Sequence, residues 1–120
     1  MTTEVLDPTR EIVDPHHHLW SENGKEPYLL DDLYDDLRCG HNVVQTVFVE
    51  CRTHYHTSGP DHLHSVGETE WVESIARTSA NGPGPEIVGI VAFADLSLDS
   101  SLVSEALEEH RKAANGLLRG

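Results

Sequence analysis

The sequence predicts an α/β protein built from parallel βα repeats, and three observations predict it. Short apolar, β-branched runs alternate with amphipathic stretches of helical period; breaks rich in glycine or asparagine separate the units; and polar side chains able to do chemistry follow each apolar run.

The elements follow in order. Glu11, Ile12, Val13 and Asp14 form a short apolar stretch with a polar edge, read as the first strand. After a loop at residues 24–27, Leu29, Leu30, Leu33, Tyr34 and Leu37 recur at helical steps opposite Asp31, Asp32, Asp35 and Asp36, and Gly40 closes this helix. Residues 43–49 are almost wholly apolar, the composition of a strand covered on both faces. A polar loop at residues 52–65 leads to a second helix over 68–80, where Ser65 and Glu68 have capping-box spacing and Trp71, Val72, Ile75 and Ala76 form a stripe. Gly82, Pro83, Gly84 and Pro85 break the chain before a third strand at 87–93 that ends at Asp95. A third helix over 98–114 has Ser100 or Ser101 as cap, a stripe of Leu102, Val103, Ala106, Leu107 and His110, and a stop at Asn115 and Gly116. Leu117, Leu118 and Arg119 then begin a fourth strand. Alternation of this kind fits either an open doubly wound sheet or the opening part of a (β/α)₈ barrel, which typically needs about 250 residues.

Composition narrows the classes of function. The 120 residues carry 21 acidic against 8 basic side chains, a formal net charge of -13, and such a field repels phosphate backbones, so nucleic acid is not an expected partner. The apolar runs are far shorter than the ~20 residues needed to span a bilayer, and the N-terminus lacks the basic-then-apolar order of a signal peptide, so a soluble, cytoplasmic protein is expected, with residues 1–10 flexible. Cys39 and Cys51 have neither metal-finger nor redox spacing. There is no Gly-x-Ser-x-Gly elbow, dinucleotide fingerprint or P-loop.

The stretch from Asp14 through Pro15, His16, His17 and His18 to Trp20 carries the most chemistry. Alternate positions of an extended segment point the same way, which groups Asp14, His16 and His18 on one face and leaves His17 on the other. Two imidazoles on neighbouring same-face positions can chelate one cation, and imidazole suits zinc and other first-row metals.

Residues 12–20 resemble the opening strand of the amidohydrolase-2 group of TIM-barrel hydrolases, which includes sugar-lactone and dicarboxylate lactonases. The resemblance continues through residues 47–51, Tyr55, Gly59 and Pro60, residues 66–68, Glu70, residues 88–91, 94–96 and 118–120. It implies a barrel truncated here at its fourth strand, with His16 and His18 binding a divalent metal, zinc or alternatively manganese, beside a small-molecule substrate. The family completes that site with histidines after the fifth and sixth strands and an aspartate after the eighth. By the same resemblance the loop after the second strand lies over the site, making Arg52 and Tyr55 substrate contacts.

Glu50 and Asp95, at strand ends, are the catalytic candidates in this chain. His54, His56, His62 and His64 form two further His-x-His pairs, but on a loop, and read as solvated. The expected activity is hydrolysis of a lactone or other cyclic ester of a small acid by a protein of which this chain is the N-terminal portion. The alternatives are decarboxylation at a related metal site, or a truncated product that self-associates and catalyses nothing.

Overall fold

The computed structural model describes residues 4–21 and 26–120. Part of the loop read at 24–27 therefore lies outside the described residues. Three strands, β1 (Glu11–His17), β2 (Asn42–Val49) and β3 (Glu86–Val91), form a parallel sheet in the order β1-β2-β3. The helices α1 (Leu30–Leu37), α2 (Val66–Ala80) and α3 (Ser100–Ala114) alternate with them, and a short 3₁₀ turn, Asp61–Leu63, precedes α2.

After α3 the chain returns to the free edge of β3. Leu118 bridges Ile90 in the parallel sense, with Arg119 N 2.9 Å from the Ile90 carbonyl and Ala92 N 2.9 Å from that of Gly120. Successive units are thus added along one direction of the sheet. A doubly wound sheet instead reverses direction at its switch point.

One apolar cluster joins the layers: Leu19, Leu33, Phe48, Val72, Ala76, Ile87, Ile90 and Ala114. Phe48 is wholly buried, and burial of a side chain this size is worth about 1.5–3 kcal/mol. On β2 only Thr46 and Phe48 are fully buried, while Val47 and Val49 stay half-buried. The double-sided cover expected for this strand is therefore only partly realised, with Val47 and Val49 short of full burial.

Local chemistry corrects five expectations. The first strand runs on to His17, past Pro15, and the second helix begins at Val66 rather than Glu68. Ser65 and Glu68 do not form a capping box: the Ser65 hydroxyl donates to the Phe93 carbonyl at 2.7 Å and the Glu68 carboxylate turns to the loop after β2. The residue before α3 is Asp99, whose carbonyl accepts from Leu102 and Val103; Ser100 and Ser101 lie inside the helix. On α3 the predicted stripe splits, with Ala106 and His110 buried but Leu102 and Leu107 exposed. Asn115, in the left-handed region at φ 49°, and Gly116 at φ 90° end that helix as read.

Candidate functional site

The C-terminal end of β1 is built around an irregularity. Asp14 pairs with Thr46 and His17 with Phe48, so three steps along β1 match two along β2. The extra residue lies at Pro15 and His16, where proline cannot donate to the ladder. Period-two alternation does not survive this bulge. Asp14 and His17 fall opposite alternate residues of β2, and the grouping of Asp14 with His16 and His18 fails. The Asp14 carboxylate instead accepts from the His16 amide at 3.1 Å, which fixes the bulge.

His16 and His18 do converge. Their Nε2 atoms are 3.2 Å apart and their rings lie edge to face, with centroids 4.9 Å apart. His16 is exposed and His18 half-buried. The other nitrogen of His18, Nδ1, stands 2.7 Å from the Val49 carbonyl oxygen. A carbonyl only accepts, so Nδ1 carries the proton and the Nε2 lone pair faces His16. Zinc–nitrogen bonds of about 2.0–2.1 Å in a tetrahedron set neighbouring nitrogens about 3.3 Å apart, so the observed spacing fits two ligands of one ion. A ligating histidine held by a backbone carbonyl through its second nitrogen is the usual supporting arrangement.

His17 takes the opposite side. Buried between Thr46, 3.0 Å from its Nε2, and the edge of Phe48, it is held to a pKa of about 4, chiefly by burial. It is a neutral packing residue. Among the described residues no group of three His, Cys, Asp or Glu side chains is gathered closely enough to hold an ion.

The loop after β2 is the other organised feature. Arg52 and His54 have φ of 63° and 54°, conformations that cost side-chain-bearing residues energy and persist only where neighbours impose them. Glu68, 2% exposed on α2, accepts from the amides of Cys51 at 3.0 Å and Thr53 at 2.9 Å, flanking Arg52. Burial raises its carboxyl pKa, and the two amides work against that shift. Gly67 permits the close approach: a Cβ there would meet the His54 carbonyl oxygen at 2.4 Å and the His56 amide at 2.8 Å. Sequence reading missed Glu68 as the loop's anchor. The available signal was its place on the buried stripe of α2, one turn before Val72 and two before Ala76.

The remaining candidates are distributed around these features. Glu50 directly follows β2, half-buried, its amide bonded to the Val91 carbonyl at 2.9 Å. Tyr55 is held at a pKa of about 12, chiefly by burial and also by the negative field of Glu68 and Glu50; its buried hydroxyl has no partner among the described residues. Arg52 is exposed. Asp95 is exposed and accepts from the Ser97 amide at 3.0 Å and the Ser97 hydroxyl at 2.5 Å, the geometry of a turn that leads toward α3. Cys51 donates its thiol to the Leu19 carbonyl at 3.4 Å, and burial pushes its pKa up to about 11. The four loop histidines disperse: His54 to Ser21, His56 to Glu70, His62 to Glu105 and His64 to the Gly59 carbonyl.

No family model matches the chain, and no solved structure matches it. It is similar to a protein of Sinorhizobium fredii that bears the name uncharacterized protein y4mH, at 27% identity over an alignment of 125 residues. The match covers 87% of this chain and 37% of the relative, so the chain spans a little over one third of the length of the curated relative it matches. Among the described residues no helix is long and apolar enough to cross a membrane.

Proposed function

We propose that this chain is the N-terminal, metal-binding part of a barrel hydrolase of the amidohydrolase-2 type that opens a lactone or other cyclic ester of a small acid. The observation that carries the reading is the 3.2 Å approach of His16 Nε2 to His18 Nε2, with His18 oriented by the Val49 carbonyl. The one-directional addition of βα units, through the bridge of Leu118 to Ile90, supports a barrel over a doubly wound sheet. Functional groups at the C-terminal strand ends agree with it.

A divalent ion bound there would polarise a carbonyl and lower the pKa of a bound water. The residues of this chain do the positioning. His16 and His18 hold the ion, Asp14 fixes the bulge that turns His16 toward His18, and Glu68 holds the main chain on either side of Arg52, from which Arg52 and Tyr55 reach substrate. A catalytic zinc generally has three protein ligands plus water. Two come from this chain, so the reading assigns the rest, with the general base, to a longer protein of the size of its relative. Decarboxylation would use the same pair of histidines, and product analysis with lactone and carboxylic-acid substrates separates the two.

The test is calorimetric titration of the protein with zinc and with manganese, comparing His16→Ala and His18→Ala. Binding of one ion, lost in both variants, is the expected result. Undiminished binding in either variant overturns the reading.

A further inference from the structure

A second pair of side chains, Ser21 and His54, is used by none of the chemistry above. The Ser21 hydroxyl and the His54 Nε2 are 2.5 Å apart, though 33 residues separate them in sequence. His54 is not a casual loop histidine. Its ring lies flat on the indole of Trp71, with centroids 4.0 Å apart and planes at 10°. Its backbone is held at positive φ, its carbonyl rests against Gly67, and Glu68 grips the amide of the preceding Thr53. Three contacts therefore hold this imidazole and its strained backbone beside one serine, the over-determination that lets a strained conformation persist at functional sites.

Ser21 and Trp71 also line a hollow of about 300 Å³ whose other walls are Leu29, Leu30, Ile75 and Thr78. That volume is at the lower end of small-ligand pockets, and its lining is almost wholly apolar. A nucleophile hydrogen-bonded to a base whose ring is oriented by a third group, at the wall of an apolar hollow, is the signature of covalent acyl transfer.

We propose that Ser21 and His54 form a nucleophile–base pair that cleaves small esters whose short apolar acyl group is seated in this hollow. Ser21 Oγ attacks the ester carbonyl carbon as His54 Nε2 takes the hydroxyl proton, and the carbonyl π pair moves onto oxygen. When that pair returns, the bond to the alcohol oxygen breaks and the alcohol leaves with the proton from His54. Butyryl-type acyl-Ser21 remains. Water, giving its proton to His54, attacks the acyl carbon; the bond to Ser21 breaks, and Oγ recovers the proton. The products are one alcohol and one acid, with nothing oxidised or reduced.

The experiment uses 4-nitrophenyl butyrate with protein prepared in chelator, so its result does not depend on His16 and His18 or on the hydrolase reading above. The expected result is release of nitrophenolate with a butyryl adduct on the peptide containing Ser21. Both signals fall at least tenfold in Ser21→Ala and in His54→Gln, in the range general bases supply. Ile75→Trp, which fills the hollow, slows the butyrate more than the acetate ester. Ser21→Ala alters only a half-buried hydroxyl and retains the wild-type circular dichroism spectrum, so its result stands if His54→Gln loosens the loop. Release at the wild-type rate in Ser21→Ala, an adduct on another residue, or no adduct and no release would each overturn the proposal.

Discussion

His18 Nδ1 stands 2.7 Å from the carbonyl oxygen of Val49, so the last residue of β2 decides which nitrogen of the histidine just past β1 is free. The tautomer is set by the sheet itself, since β1 and β2 are paired neighbours. His18→Ala and His16→Ala are each expected to weaken zinc binding at least tenfold, while His17→Ala leaves it within a few-fold, because His17 points to Thr46 and Phe48. The same His17 variant is expected to lower stability by about 2–4 kcal/mol through the lost packing under Phe48. Calorimetry and urea unfolding on the three variants check both statements. Equal loss of zinc affinity in all three would sink the two-ligand assignment.

Gly67→Ala is expected to destabilise the protein, against the usual trend. In an ordinary helix interior the change favours folding by roughly 0.5–1 kcal/mol. Here the new Cβ would come 2.4 Å from the His54 carbonyl oxygen, and overpacking of that kind costs about 1–3 kcal/mol. A urea midpoint higher than that of the wild type would show that the loop can give way freely, and would remove one of the restraints on His54.

The order of elements was legible because hydrophobic period is a local property. Leu30, Leu33 and Leu37, or Val72 and Ala76, repeat at helical steps whatever the rest of the chain does. The histidine pair was legible for a similar reason: His16 and His18 are two apart. What failed was everything that depends on where a neighbour happens to sit. The bulge at Pro15 comes from the register between β1 and β2, and although proline in a strand is a warning, its consequence for Asp14 needs the partner strand. Glu68 has two sets of orphan amides within its reach, those of its own helix and those of Cys51 and Thr53; residue spacing reports only the first. Contact between Ser21 and His54 arises from the crossover between β1 and β2, and nothing local announces it.

His110 links α3 to α2 and the end of β3. Its Nε2 faces the Phe93 carbonyl at 2.8 Å and therefore carries the proton, and its Nδ1 accepts from the Thr69 hydroxyl at 2.8 Å. Burial lowers its pKa below 6.5. Below that value the unfolded chain takes up a proton that the folded one refuses, so this residue's contribution is full above 6.5 and declines as pH falls toward the lowered folded value. His110→Gln keeps a donor and an acceptor but does not titrate. Urea unfolding above and below 6.5 should show a gentler acid-side loss in the variant, and identical slopes would refute the assignment.

Glu68 gives the sharpest test because two opposed effects act on one carboxyl. Its Oε2 accepts from both the Cys51 and Thr53 amides, which favours the charged form, while near-complete burial favours the neutral form and is the larger influence. Glu68→Ala leaves the buried Thr53 amide and the part-buried Cys51 amide without their partner and is expected to cost about 2–4 kcal/mol. Glu68→Gln keeps an acceptor oxygen at the same reach and is expected to stay within about 1 kcal/mol of the wild type at neutral pH. The titration separates the effects. With the folded pKa raised above 4.5, the folded state holds the proton more tightly than the unfolded one, so the stabilisation from this group is full below 4.5 and is lost as pH rises through the folded value. The stability of the wild type relative to Glu68→Gln should therefore decrease as pH rises from below 4.5 toward neutrality. Denaturant unfolding of the two proteins across that range measures the difference directly. A difference that instead grows with pH would mean that the two amides outweigh burial in setting the charge on this carboxyl.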